Sequence, residues 1–547
     1  LILPFVLQSA EVMKRAVAQL ERYLDKIEGY TKGTVVLATV FGDVHDIGKS
    51  LVNTILTNNG YTVVDLGKQV PIQTILDAAQ EHRATAIGLS ALLVSTSKQM
   101  PACIQELHAK GLDYPVLIGG AAINRAFGYR ALYPGGKESE EQYEPGVFYC
   151  KDAFEGLAVM DQLVDADAHA ALVGKLHADA RAFREKGEEP AEELNFADDS
   201  VRSAARTDAP VPTPPYWGVR EIPVDLDEVY SHLDTHVLFK LHWGGRGVKG
   251  EAWRELLRDD FQPRLARMWG EATGAGGDGA AGSESAGARA PYLHPRALLG
   301  FFPCYAQGNE IVVLDPAVAT PRDGHGPGDD ARELTRFVCP RQPKGDRLCL
   351  ADFFRPAKDD GSPPDQLDVI AVQAVTVGSE VTELMARLEA EGEFSEQLFV
   401  HGLGVQTAEG LAEWLHATAR EMLSIPAAQG RRYSWGYPAV PEQAEHLKVE
   451  KLLGLGDIGM RITDGYAPLP EQSTLALVAH HPQAIYFGTR QGRLLPDGSP
   501  DDLIKGSRRD PSLFGEGGTG EAELDDEDPP PGAVEAEDEA ALAADGA

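Results

Sequence analysis

The sequence predicts a two-part protein, a doubly wound α/β domain with a parallel five-stranded sheet followed by a larger α+β unit. Three observations lead there. From Thr34 onward, short apolar runs rich in β-branched residues alternate with helical patterns five times over. Near residue 165 the alternation gives way to an Ala-rich, charged stretch closed by the Pro-rich segment APVPTPP. Beyond Tyr216 strands and helices no longer alternate regularly. A chain of 547 residues, 43% hydrophobic, is long enough to bury several separate cores.

The elements follow in order. Residues 4 to 28 place Val6, Val12, Met13, Val17, Leu20 and Leu24 at roughly helical spacing, which predicts an amphipathic helix. The chain opens without Met and in mid-pattern, so residues 1–30 read as the remnant of a helical cap. Next come TVVLATV with a helix from Ile47, YTVVDLG with PIQTILDAAQEH, and ATAIGLS with SKQMPACIQELHAK. VLIGG with a helix near Asn124, and VFYC with DAFEGLAVMDQL, complete the set. Strand-helix units of this length specify a parallel sheet covered on both faces, a flavodoxin-like domain over residues 31–165. Residues 166–215 read as a helical or loose linker. Residues 216–500 form the second unit, with strands EIVVLD and DVIAVQAVTV and a helix through GVQTAEGLAEWLHATAREML. Two Gly- and Ala-rich insertions, GEATGAGGDGAAGSESAGARA and TPRDGHGPGDDARE, read as surface loops. Residues 501–547 read as a disordered acidic tail, since thirteen Asp or Glu and no Lys or Arg lie from Asp510 onward.

Composition excludes several functions. A net charge of −34 argues against nucleic acid, which needs clustered Lys and Arg. No run approaches the ~18 apolar residues of a membrane span, and no signal peptide is written at the start, so the chain reads as soluble and cytoplasmic. The five cysteines, with no C-x-x-C pair, fit a reducing compartment. HWGGRGVKG is glycine-rich but lacks the strand and spacing of a dinucleotide site.

In a doubly wound sheet ligands sit beyond the carboxyl ends of the strands. FGDVHDIGKS lies there, directly after the first strand. Gly42 and Gly48 allow close backbone approach, and His45 offers an imidazole from a loop. A lone histidine is more often structural. Against that, Asp43 is placed to hold one ring nitrogen and leave the other free for a metal.

Asp43-Val44-His45-Asp46-Ile47-Gly48 matches the D-x-H-x-x-G signature of corrinoid-binding domains. Gly88-Leu89-Ser90 resembles that family's G-x-S, and Ile118-Gly119-Gly120 its G-G turn. The resemblance implies that cobalamin, as methylcobalamin, binds with His45 replacing the nucleotide base on cobalt. The displaced tail would lie along small residues, here Gly67, Ser90, Gly119, Gly120 and Ala153. Gly42, Val44, Asp46, Gly48 and Val94 would also contact the cofactor. In the family a serine extends the histidine–aspartate pair into a proton relay. Thr96 stands there, with Val94 where a threonine is usual, and Ser95 and Ser97 are alternative hydroxyls.

The second unit resembles the reactivation domain of cobalamin-dependent methionine synthases, so the chain as a whole looks like the C-terminal half of that family. Arg432-Tyr433-Ser434-Trp435-Gly436-Tyr437-Pro438 resembles its R-x-x-x-G-Y-P motif, which binds S-adenosylmethionine (AdoMet). A planar guanidinium suits a carboxylate. By the same resemblance Asp234 meets the α-amino group, and Tyr437, Tyr486 and Phe487 complete the site. Glu409 aligns with a family acid, with a solvated helix face as the equal alternative. The implied activity is methyl transfer from 5-methyltetrahydrofolate to homocysteine through methylcobalamin. AdoMet and an electron from a flavodoxin-type reductase would remethylate the inactive cob(II)alamin form. The homocysteine and folate modules, and the zinc expected with the former, belong to a missing or separate N-terminal half. A corrinoid carrier or sensor is the alternative, disfavoured by the AdoMet motif; a mutase subunit ranks third.

Overall fold

The computed structural model describes residues 31–136, 139–186, 202–274, 290–319, 332–343, 345–437 and 439–487, with isolated positions at 5, 8, 9 and 12. The expected cap helix, the bulk of both Gly-rich insertions and the acidic tail lie outside these residues.

The first domain is the five-stranded parallel sheet that the alternation predicts. Strands β1 (Thr34–Thr39), β2 (Thr62–Asp65), β3 (Ala86–Ser90), β4 (Val116–Gly119) and β5 (Val147–Tyr149) lie in the order β2-β1-β3-β4-β5. Helices α1 (Ile47–Asn58), α2 (Ile72–Glu81), α3 (Gln99–Ala109), α4 (Arg125–Ala131) and α5 (Ala153–Leu163) cover its faces. The strands read as near-continuous apolar runs because both faces are covered: Val36 and Ala38 of β1 pack on one side, Val35 and Leu37 on the other. The order reverses at β1 and β3, so the loops after them face each other across a crevice.

Residues 166–186 take the helical of the two expected linker forms. Ala166–Glu185 is a helix, α6, capped by Asp165, whose side chain accepts from the Asp167 and Ala168 amides. Its apolar stripe, Leu172, Val173, Leu176 and Ala180, packs onto the first domain's two cores. Low overall hydropathy conceals this stripe, which is all that an edge-covering helix needs. Residues 202–209 also depart from a loose linker. Arg202 donates to Asp352 and Phe354 carbonyls, the Ser203 amide to the Asp352 carboxylate, and Arg355 to the Ala209 carbonyl. The segment is a strap bound to the second domain. Its anchor is Arg341, 0% exposed, whose Nη1 and Nη2 donate to Asp352 at 2.6 and 2.9 Å.

The second domain is built on a seven-stranded antiparallel sheet. Its strands are β6 (Gly218–Glu221), β7 (Arg296–Gln307), β8 (Glu310–Leu314), β9 (Glu333–Val338), β10 (Asp368–Thr376), β11 (Arg431–Ser434) and β14 (Ser473–Ala479). The main path runs β11-β14-β10-β7-β8-β9, and β6 pairs with β7. A small hairpin, β12 (Arg461–Ile462) with β13 (Pro468–Leu469), projects from it. The long helix α7 (Phe394–Met422) lies across the sheet, with Leu411, Leu415 and Ala419 in one core beside Leu299, Phe301 and Ala371. All five cysteines are free, and no described helix is long and apolar enough to cross a membrane.

Candidate functional site

The loop after β1 turns on Gly42, whose φ of +81° disfavours a side chain. The turn buries Asp43 completely. Its Oδ1 accepts from the His45 amide at 3.1 Å and lies 2.7 Å from His45 Nδ1. Its Oδ2 accepts from Thr96 Oγ1 at 2.6 Å and from the Leu92 and Leu93 amides at 2.8 and 3.2 Å. Burial alone would raise the Asp43 pKa, but the hydrogen bonds from His45 and Thr96 outweigh it and bring it down to about 2. An ionised Asp43 makes Nδ1 the proton-bearing nitrogen. Nε2, on a side chain 21% exposed, has no hydrogen bond to any described residue. It is the nitrogen with a lone pair to give.

Of the three hydroxyls at residues 95–97, that of Thr96 donates to Asp43. Ser95 does not: its hydroxyl donates to Gln443 Oε1 of the second domain at 2.7 Å. Val44 is buried, Asp46 pairs with Lys68 at 3.0 Å, and Ser90 ends β3 at the crevice. The side chain of Val94 lies outside the described set.

Small residues stand on this loop and on those at the same end of the sheet. Gly48 and Gly67 have open space where a Cβ would stand. At Gly120 a Cβ would collide with the Ala91 carbonyl, and at Gly119 it would lie 3.1 Å from the Cys150 carbonyl. Ala153 opens α5 at the same edge. The Ser50 hydroxyl on α1 is buried with no partner. Open space over glycines, an orphaned hydroxyl and an outward Nε2 together fit a large ligand with a metal centre.

The second domain reaches this loop. Thr463 and Gly465, in the β12–β13 hairpin, press on Gly42: the Thr463 hydroxyl donates to the Gly42 carbonyl at 3.2 Å, and a Cβ on Gly42 would lie 2.7 Å from the Gly465 Cα. Glu471 lies 3.8 Å from Lys68 and 3.3 Å from His401, and its Oε2 is buried without a hydrogen bond. Burial lowers the His45 pKa, but the Asp43 hydrogen bond and the Glu471 charge outweigh it and leave it raised. Glu471, His401, Gln443 and Gly465 are contacts that sequence reasoning missed. Glu471, Gln443 and Gly465 act across the domain boundary, where no local spacing signals them, and His401 holds Glu471 from within the second domain.

A second cluster lies on α7 and β11. Arg432, its side chain 12% exposed, donates from Nε and Nη2 to Glu413 Oε1 at 3.0 and 2.8 Å, and from Nη2 to Glu409 Oε2 at 3.1 Å. Glu409 is thus an ion-pair partner and not an idle surface acid. Glu413 was missed, although it follows Glu409 by one helical turn. Tyr437, 62% exposed, stands beside them, and the Glu409 charge foremost raises its phenol pKa. Tyr486 packs on Tyr433 with ring centroids 5.6 Å apart, while Phe487 is buried in the core against Phe353. Phe487 thus anchors the segment that presents Tyr486. Asp234 accepts from the Val237 amide at 2.9 Å, and the preceding residues His232 and Leu233 abut α7 at Gly410, next to Glu409.

Comparison with known proteins places names beside this geometry. Residues 33–132 match the B12 binding domain, and residues 287–493 match the activation domain of vitamin B12 dependent methionine synthase. The methionine synthase of Mycobacterium leprae is 37% identical over 531 residues, covering 89% of this chain and 41% of that protein. That of Mycobacterium tuberculosis is 36% identical over 524 residues, with the same shares of 89% and 41%. The chain thus spans about two fifths of the length of these relatives. A crystal structure of the MetH reactivation domain bound to AdoHcy is 23% identical, covers 54% of this chain and 86% of its own, and has a TM-score of 0.41. A cobalamin-binding protein from Desulfitobacterium hafniense is 28% identical over 30% of this chain and 72% of its own, with a TM-score of 0.25.

Proposed function

We propose that this chain, which belongs to the vitamin B12-dependent methionine synthase family and carries its B12-binding and activation domains, is the part of a methionine synthase that holds the cofactor and restores it after inactivation. When bound, cobalamin supplies the cobalt centre that carries a methyl group from 5-methyltetrahydrofolate to homocysteine. His45 would ligate cobalt through Nε2. Asp43 holds the proton on Nδ1, and Thr96, donating to Asp43, keeps that carboxylate ionised and still. Gly48, Gly67, Ser90, Gly119, Gly120 and Ala153 would line the nucleotide tail.

In the activation domain Arg432 would receive the AdoMet carboxylate, Asp234 its α-amino group, and Tyr437 and Tyr486 would bound the ligand. The chain's task there is to orient the sulfonium methyl toward cobalt. A flavodoxin-type reductase would supply the electron, and the homocysteine module, with its zinc, and the folate module belong to other parts of the enzyme. The five free cysteines suit a cytoplasmic setting.

One observation supports this reading above the others. The activation domain is docked on the histidine loop, its hairpin against Gly42 and its Gln443 on Ser95, each adjacent in sequence to a relay residue. The test is to load the chain with cobalamin, add AdoMet and a low-potential electron donor, and follow methylcobalamin formation by absorbance. Methylation supports the reading. Cobalamin binding without AdoMet binding would make the chain a corrinoid carrier.

A further inference from the structure

The acids that hold Arg432 also leave a buried histidine with nothing to bond. Glu413 uses Oε1 for both of its contacts with the guanidinium, while its Oε2 faces Nδ1 of His416, nearly one turn further along α7, at 3.6 Å. That separation is a charge contact but too long for a hydrogen bond. His416 is 3% exposed, and both of its ring nitrogens are buried without a hydrogen-bond partner. Buried polar groups are nearly always satisfied, because desolvation is otherwise uncompensated. The charged groups facing the ring are Glu413 and Arg420 from α7 and Arg432 from β11. Among them Glu413 is the one acceptor.

The fork of Arg432 is already engaged. Nε and Nη2 serve Glu413, Nη2 also serves Glu409, and Nη1 lies 3.4 Å from the Ser434 hydroxyl. A carboxylate that binds bidentately to the end of the guanidinium takes Nη1 and Nη2 together. Nη2 carries two N–H bonds, and the carboxylate needs the one on the Nη1 side, which leaves the one on the Nε side with Glu413. Glu409 gives up its contact with Nη2, and Glu413 is left to hold the guanidinium alone.

We propose that His416 is a positioning residue for Arg432: its Nδ1–H closes on Oε2 of Glu413 when an amino-acid carboxylate displaces Glu409, so that Glu413 keeps Nε and Nη2 and the guanidinium stays aimed. A fraction of an ångström of movement suffices, and the terminal torsion of a glutamate is soft enough to supply it. In the free protein His416 is neutral, since burial lowers its pKa more than the Glu413 interaction raises it. A neutral ring retains one N–H to donate, so the closure needs no proton uptake. The proposal rests on the reading of Arg432 as the carboxylate anchor.

Two ligands separate a positioning role from a structural one. AdoMet carries the carboxylate, and decarboxylated AdoMet lacks it. Binding of each to the full chain, measured by calorimetry, is compared for the parent, His416→Phe, His416→Asn and Glu413→Gln. His416→Leu replaces the Phe variant should the larger ring not fit. His416→Phe should weaken AdoMet about tenfold and leave decarboxylated AdoMet unchanged. His416→Asn, whose amide N–H stands near the Nδ1 position, should recover AdoMet binding to within about threefold. In the Glu413→Gln background the His416 change should add little. Equal weakening of both ligands, or no weakening of AdoMet, overturns the proposal. A parent chain that fails to bind AdoMet, or binds both ligands equally, overturns instead the carboxylate-anchor reading beneath it.

Discussion

Replacing Thr96 with valine removes one hydroxyl and keeps the shape of the side chain, so the consequence reduces to a single hydrogen bond. That bond runs 2.6 Å to a carboxylate that is 0% exposed and ionised, which places it among the charge-assisted class worth about 1.5–3 kcal/mol. Two amides, of Leu92 and Leu93, remain on the same oxygen and limit the damage. We expect a loss of about 1–2 kcal/mol for the B12-binding domain, and nearly none for Thr96→Ser, which keeps the donor. Chemical denaturation of the parent, Thr96→Val, Asp43→Asn and the double variant forms a cycle whose coupling should also be about 1–2 kcal/mol. A coupling near zero, or an equal loss in Thr96→Ser, would mean that Thr96 merely fills space beside Asp43.

Three further outcomes are expected. Arg432→Ala should weaken AdoMet binding by about 2–5 kcal/mol in a calorimetric titration, while cobalamin binding, which belongs to the other domain, is unchanged. Asp352→Asn should destabilise the activation domain by about 3–5 kcal/mol, since it strips the buried Arg341 of its carboxylate. Burial pushes the Asp352 pKa up, but the bonds from Arg341 and Ser203 outweigh it and hold it below the ordinary 3.8. Its contribution is therefore complete above pH 3.8 and lost as pH falls through the lower folded value, so the variant's disadvantage should shrink in that window in an acid-unfolding series. Gly465→Ala introduces a methyl group where the Gly42 carbonyl stands, and should slow AdoMet-dependent methylation without altering the affinity of the chain for either ligand.

The first domain was legible because its signals are local. β-branched runs such as TVVLAT and AIGLS, spaced by helical patterns, leave one sheet topology, and D-x-H-x-x-G places the histidine at its switch point. The pairing of Asp43 with His45, two residues apart, was readable from spacing alone. Thr96 was not singled out by its own chemistry, since Ser95 and Ser97 flank it. The backbone decides: the turn into residues 94–97 aims Thr96 at Asp43 and Ser95 across the domain boundary. Glu413 lay within reach of the sequence, one turn from Glu409 on a predicted helix, and needed only the question of what else could hold Arg432. Glu471, Gln443 and Gly465 lay beyond it, because their partners are hundreds of residues away or on the other domain. The helix Ala166–Glu185 was read only as one of two alternatives, helical or loose, because its apolar stripe is diluted by charged residues on the exposed face.

The central claim is that this chain holds cobalt through His45. Electron paramagnetic resonance of the full chain loaded with cobalamin in its cobalt(II) form reads the axial nitrogen directly. The account predicts nitrogen hyperfine splitting that changes from triplets to doublets when the protein's histidines carry nitrogen-15, and that is lost in His45→Ala. Splitting that is indifferent to the label and survives His45→Ala would assign the axial nitrogen to the cofactor's own base and contradict it.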